Sequence, residues 1–145
     1  MRKLRLLSKL LIPLAAVVVT DVSLALPRLW SSDSNTTILF DEPVSVACNS
    51  TNDTILYKTT LGQIEYRGTL WIEEVSGCST NQVVIRGYFR DTSTNGAERC
   101  AGQLTISLTP GNGQGSATWS NIRSVRGLPC SGAGQTYSLN LYFDR

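Results

Sequence analysis

The stretches 64-IEYRGTLWIE-73 and 82-QVVIRGYFR-90 decide the fold. In the first, Ile64, Tyr66, Leu70 and Ile72 share one parity, and Glu65, Arg67, Thr69, Trp71 and Glu73 share the other. In the second, Val83, Ile85 and Phe89 alternate with Gln82, Arg86, Tyr88 and Arg90. Strand side chains point to opposite faces with a period of two, so each stretch reads as a strand with one apolar and one polar face. That pattern belongs to an antiparallel sheet with one wet side.

The same alternation recurs outward along the chain. Leu104, Ile106 and Leu108 alternate with Thr105, Ser107 and Thr109, and Tyr137, Leu139, Leu141 and Phe143 alternate with Thr136, Ser138, Asn140 and Tyr142. Clusters of Gly, Asn, Asp, Ser and Pro separate the runs, as turns require. About eight strands follow, near 36–40, 44–48, 54–60, 64–73, 82–90, 98–109, 116–124 and 136–144. The expected fold is all-β: a single-domain antiparallel meander of about eight strands, closed as a barrel or folded as a two-sheet sandwich.

Face parity also predicts registers. Gly68 opposite Gly87 sets Leu70 against Ile85, Tyr66 against Phe89 and Glu65 against Arg90. Around the turn Pro110-Gly111-Asn112-Gly113-Gln114-Gly115, Leu108 opposite Ala117 sets Ile106 against Trp119 and places that indole in the core. The inward set Tyr66, Phe89, Trp119, Tyr137 and Phe143 is expected to fill the interior, with a cavity for one small apolar ligand as the alternative.

The first 25 residues read as an export signal. Arg2, Lys3, Arg5 and Lys9 precede an apolar run from Leu10 to Val19, and Ser23-Leu24-Ala25 supplies small residues at the cleavage positions. The apolar run is too short to span a bilayer, and no longer one follows. Residues 26–35 are expected to be an extended arm, and residues 36–145 the β domain. The expected location is secreted or periplasmic, with no integral membrane segment in the mature chain.

In such a compartment four cysteines are most simply two disulfides. Strand counting in a meander puts Cys48 and Cys78 at one end of the sheet and Cys100 and Cys130 at the other. A strand of eight to ten residues spans roughly 25–34 Å, and a disulfide needs Cα atoms within about 7 Å. The expected bridges are therefore Cys48–Cys78 and Cys100–Cys130. The sequons at Asn35, Asn49 and Asn52 would be glycosylated only in a host that modifies them.

Composition narrows the function. The chain holds 13 Lys and Arg against 11 Asp and Glu. Removing the four signal cations and Asp21 leaves 9 against 10. A near-neutral domain has no electrostatic case for nucleic acid. Histidine is absent, which excludes Ser-His-Asp and Cys-His catalysis and the commonest zinc ligand. Cysteine spacings of 30, 22 and 30 lack the close pairs of a zinc site, so neither metal nor cofactor is expected. Glu73-Glu74 are adjacent, and neighbours on a regular strand point apart, so a convergent acid–base pair is not expected there.

Arg67, Trp71, Arg86, Tyr88 and Arg90 share the outward face of neighbouring strands and form the candidate binding patch. The expectation is a non-enzymatic binding module for protein or glycan. The alternatives are a carrier of a small apolar ligand, or a hydrolase inhibitor presenting loop 91–96 or 110–115. Cleavage of the signal after Ala25 predicts Leu26 as the N-terminal residue of the exported protein. Edman sequencing of secreted material checks this, and an intact Met1 in a membrane fraction contradicts it.

Overall fold

The computed structural model describes residues 53–61, 63–78, 80–109 and 111–143, and the backbone of four short strands before them. Those are β1 (Ser23–Leu26), β2 (Leu29–Ser31), β3 (Thr37–Phe40) and β4 (Val44–Ala47). The longer strands are β5 (Thr54–Leu61), β6 (Ile64–Ser76), β7 (Val83–Ser93), β8 (Arg99–Thr109), β9 (Gln114–Ser124) and β10 (Tyr137–Phe143). Each of these six pairs antiparallel with the next, giving an all-β meander that curls into a half-barrel. Among the described residues no helix is long and apolar enough to cross a membrane.

Of the expected run of eight consecutive strands, six are shown, β5 to β10. The 44–48 segment does not sit between its sequence neighbours. β4 pairs with β1, and β3 pairs directly with β5, Ile38 opposite Thr59. The signal, the arm apart from these backbones, the three sequons, Cys48 and the Phe143 side chain lie outside the described residues.

One apolar face makes the core. Ile55, Leu70, Ile72, Ile85, Leu104, Ile106 and Leu108 are each no more than 2% exposed. Each such side chain contributes roughly 1.5–3 kcal/mol by leaving water. Burial alternates along β7 from Val83 to Ser93 with little interruption. Trp119 is buried at 4% exposure, whereas Trp71 is 41% exposed on the opposite parity.

The faces follow the alternation, but the registers do not follow the expected glycine pairing. Gly68 lies opposite Asp91, Leu70 opposite Phe89, Trp71 opposite Tyr88, and Gly87 opposite Ile72. The β6–β7 pairing is displaced by four residues from the expected one. At the next turn Leu108 faces Gly115, Ile106 faces Ala117 and Leu104 faces Trp119, a displacement of two. Even displacements keep every side chain on its face, so alternation alone does not select among them. Turn geometry does. Gly77 at φ 77° and the Thr80 N–H bond to the Gly77 carbonyl close β6–β7 tightly, and Gly113 at φ 69° closes β8–β9.

Two bulges interrupt the alternation, one between Ile72 and Glu74 and one opposite Gly102. The first exposes both Glu73 and Glu74 while Ile72 and Val75 stay buried. The expectation that these two carboxylates point to opposite faces is thereby overturned, because the extra residue resets the parity.

Cys100 and Cys130 are bonded, with Cα atoms 5.3 Å apart. The bridge fastens the 125–136 connection to the start of β8, and closing a loop of this size is worth about 3–4 kcal/mol in the chain-entropy model. Trp119→Ala should cost about 3–5 kcal/mol of unfolding free energy, as large aromatic deletions in cores do. Trp71→Ala should cost no more than about 1 kcal/mol. Urea unfolding of the two variants decides the matter, and equal losses would refute the two face assignments.

Candidate functional site

The outward patch gathers on the middle of the sheet. Register places Trp71 of β6 directly across from Tyr88 of β7, with ring centroids 6.1 Å apart. The Arg90 guanidinium lies 6.0 Å from the centroid of the Trp71 ring. Arg123 of β9 lies 5.9 Å from the centroid of the Tyr88 ring and donates to the Tyr88 hydroxyl at 3.3 Å. That bond from Arg123 is the main cause holding the Tyr88 hydroxyl below its ordinary pKa.

Two of the sequence-chosen arginines sit apart from this cluster. Arg67 is exposed on the same face, four residues before Trp71 and directly across from Lys58. Arg86 lies beyond the β6 bulge and makes an ion pair with Glu74 at 3.3 Å, both side chains more than half exposed. Such a pair is worth less than about 1 kcal/mol.

Three residues that sequence reasoning passed over complete the patch: Arg123, Gln103 and Asn121. Tyr88, Gly102, Gln103, Asn121 and Arg123 line a surface depression of about 240 Å³. Its shape comes from the second bulge. Gly102 has no room for a Cβ, which would meet the carbonyls of Ser120 and Asn121 and the Phe89 ring. Asn121 takes φ 51°, and its amide donates to Gln103 Oε1 at 2.7 Å. A signal was present in the sequence: Trp119 and Ile122 are both buried and three apart, which a regular strand does not allow.

A second polar group lies inside the sheet. Asp91 is 5% exposed, and its Oδ1 accepts from the Tyr57 hydroxyl at 2.5 Å. Gly68 stands opposite Asp91 and leaves the space for this pair, since a Cβ there would strike both the carboxylate and the Tyr57 ring. Burial pushes the Asp91 carboxyl up to about 7, partly offset by the Tyr57 bond. Burial, followed by the charge of Asp91, drives the Tyr57 hydroxyl well above its ordinary value. The indole N–H of Trp119 stands beside the Tyr57 hydroxyl without a well-formed hydrogen bond among the described residues. The sequence carried this site too. Continuing the 82–90 alternation by one residue puts Asp91 on the parity of Phe89.

Asp91 and Trp119 border a cavity of about 220 Å³ at the end of the half-barrel where β7 and β9 finish and β6, β8 and β10 begin. Its rim is braced by Glu98. One carboxylate oxygen accepts from the Tyr66 hydroxyl at 3.0 Å, the Ser131 hydroxyl at 2.9 Å and the Ser131 N–H at 3.2 Å. The Ser131 bonds hold Glu98 below the usual carboxylate range. Among the described residues the interior is packed around Leu70, Ile85 and Ile106 and opens into this cavity at one end.

Among the described residues no group of three or more His, Cys, Asp or Glu side chains converges as a metal site. No protein-family model matches the chain, and neither the curated proteins nor the solved structures contain a significant match.

Asp91 couples stability to pH. Its folded pKa exceeds its unfolded value, so the folded state binds the extra proton between about pH 4 and 7. Stability is fully present below about pH 4 and is lost as pH rises through 7, by up to roughly 1.4 kcal/mol per pH unit. Asp91→Asn should remove this slope. Urea midpoints at pH 4.5, 6 and 7.5 for both proteins test it, and parallel profiles would assign the slope to other groups.

Proposed function

We propose that the protein is an exported, non-enzymatic module that binds an acidic glycan on the outer face of β6–β9. The observation that carries this reading is the cluster of Trp71, Tyr88, Arg90 and Arg123 beside the depression bounded by Gln103 and Asn121. A pyranose ring offers polarised C–H groups to an aromatic face and hydroxyls to amides and guanidinium groups, and this patch supplies both. Lys58, Arg67, Arg90 and Arg123 have no ion-pair partner among the described residues, and Lys58 directly opposes Arg67. Like charges across a pair destabilise a sheet, and a bound anion relieves them. The patch is small and polar, whereas a stable protein interface buries about 800 Å² on each partner. The connections after β7 and β8 are tight, with the Ser93 N–H bonded to the Glu98 carbonyl and the Asn112 N–H to the Thr109 carbonyl, which disfavours an inhibitor with a projecting loop.

The reading includes a closed barrel stapled twice. Closure through β2 and β3 is supported by the backbone pairing of Trp30 with Phe143 and with Ile38, and of Ile38 with Thr59. A Cys48–Cys78 bridge is supported because Cys78 is bonded and Cys48 is the remaining cysteine of the four. Binding without catalysis is supported by the absence of histidine from the chain.

Calorimetry with a heparin tetrasaccharide and a neutral cellotetraose tests the function. The acidic sugar should bind, more weakly as salt rises, and the neutral one at least tenfold more weakly. Trp71→Ala and Arg123→Ala should each lower affinity at least tenfold while leaving the urea midpoint nearly unchanged. Wild-type affinity in both variants would move the site elsewhere.

A further inference from the structure

The cavity at the Asp91 end of the half-barrel is separate from the outer face and has the character of a second site. Antiparallel strands deliver their residues to it from alternating directions: Tyr66 near the start of β6, Asp91 near the end of β7, Ile122 near the end of β9 and Tyr137 at the start of β10. Phe89 and Trp119 complete the aromatic walls. Among the described residues neither Lys nor Arg lines it.

Two polar groups there are left wanting partners. The Asp91 carboxyl has one hydrogen bond, to Tyr57 through Oδ1, and its other oxygen has none among the described residues. The Trp119 N–H, buried beside the Tyr57 hydroxyl, has no well-formed hydrogen bond among the described residues. A buried donor left unmade costs about 1–3 kcal/mol, so the cavity borders a part of the core that is incompletely paired.

We propose that this cavity binds a small aromatic amine, its ammonium on the open oxygen of Asp91 and its ring among Phe89, Trp119 and Tyr137. The chemistry selects the class. A carboxylate walled by aromatic faces attracts a cation twice, through its own charge and through the ring quadrupoles. An anionic ligand meets Asp91 as a like charge. A cavity of about 150 Å³ holds benzene, so this one, at about 220 Å³, has room for a ring and a short amine arm.

The groups facing Asp91 are Tyr57 from β5, Tyr66 from β6 with Glu98 behind it, and Tyr137 from β10. Burial raises the hydroxyls of Tyr57 and Tyr66, which stay protonated, and Glu98, held below the usual carboxylate range by its Ser131 bonds, stays ionised through neutral pH. Asp91, at about 7, is then the group whose titration gates the site. Tyramine keeps its positive charge throughout this range.

The probes are tyramine, neutral 4-ethylphenol and anionic 4-hydroxyphenylacetate, which share one ring. They are titrated into the folded protein by calorimetry, with the Trp119 indole N–H followed by NMR. At pH 8 tyramine should bind at least tenfold more tightly than 4-ethylphenol, and 4-hydroxyphenylacetate more weakly than either. Tyramine should shift the Trp119 N–H saturably. Its affinity should fall about tenfold per pH unit between pH 7 and 5, while that of 4-ethylphenol stays level. Asp91→Asn should erase the preference for tyramine and retain 4-ethylphenol. If that variant does not fold, the wild-type pH profile carries the test. Tyramine binding no better than 4-ethylphenol, a level tyramine pH profile, or binding that leaves the Trp119 N–H unmoved would each overturn the proposal. None of these outcomes bears on the glycan face, which has its own probes and variants.

Discussion

Parity is the constraint on which the rest of this protein depends. A strand residue faces the core or the solvent according to whether its position is odd or even. In β7 that rule holds for its whole length, and it sends Val83, Ile85, Phe89 and Asp91 inward and Arg86, Tyr88 and Arg90 outward. The apolar interior and the aromatic–arginine face are two sides of one alternation. Neither side can shift by a single residue without turning the other inside out.

The candidate site gathers where that rule is bent. The bulge at Ile72/Glu74 turns Glu73 and Glu74 together toward water and engages Arg86 away from the Trp71 cluster. The bulge opposite Gly102 aims Asn121 and Arg123 outward beside Tyr88. Both depend on local backbone freedom. At Gly102 the strands approach too closely for any side chain, and Asn121 accepts a left-handed conformation that short polar residues tolerate.

Asp91 shows a different cost. A carboxyl in an apolar interior is unfavourable when charged, and a single bond from Tyr57 offsets only part of the desolvation. The arrangement exists because Gly68 leaves a space across the strand pair. Neighbouring Ile55, Leu70 and Phe89 are fully buried, so the surrounding core is stable enough to hold a group that does not favour folding at neutral pH.

Much of the architecture was legible in the sequence. Strand existence, the inward and outward sets, the burial of Trp119, the exposure of Trp71 and the Cys100–Cys130 bridge follow from alternation, turn composition and the rigid length of strands. These are local properties, carried by residues close in the chain. Registers were not legible, because displacements of two or four residues keep every face and cost nothing in pattern. Arg123 and Asn121 escaped because a bulge changes parity without an unambiguous mark in composition, and Asp91 because a charged residue after Phe89 reads as a strand end. The tertiary structure alone decided that Gly68 meets Asp91, that Tyr57 reaches it, and that one end of the interior stays hollow. Those facts depend on which residues of separate strands stand opposite one another, and pairing across a sheet is set by packing and turn geometry summed over the whole molecule.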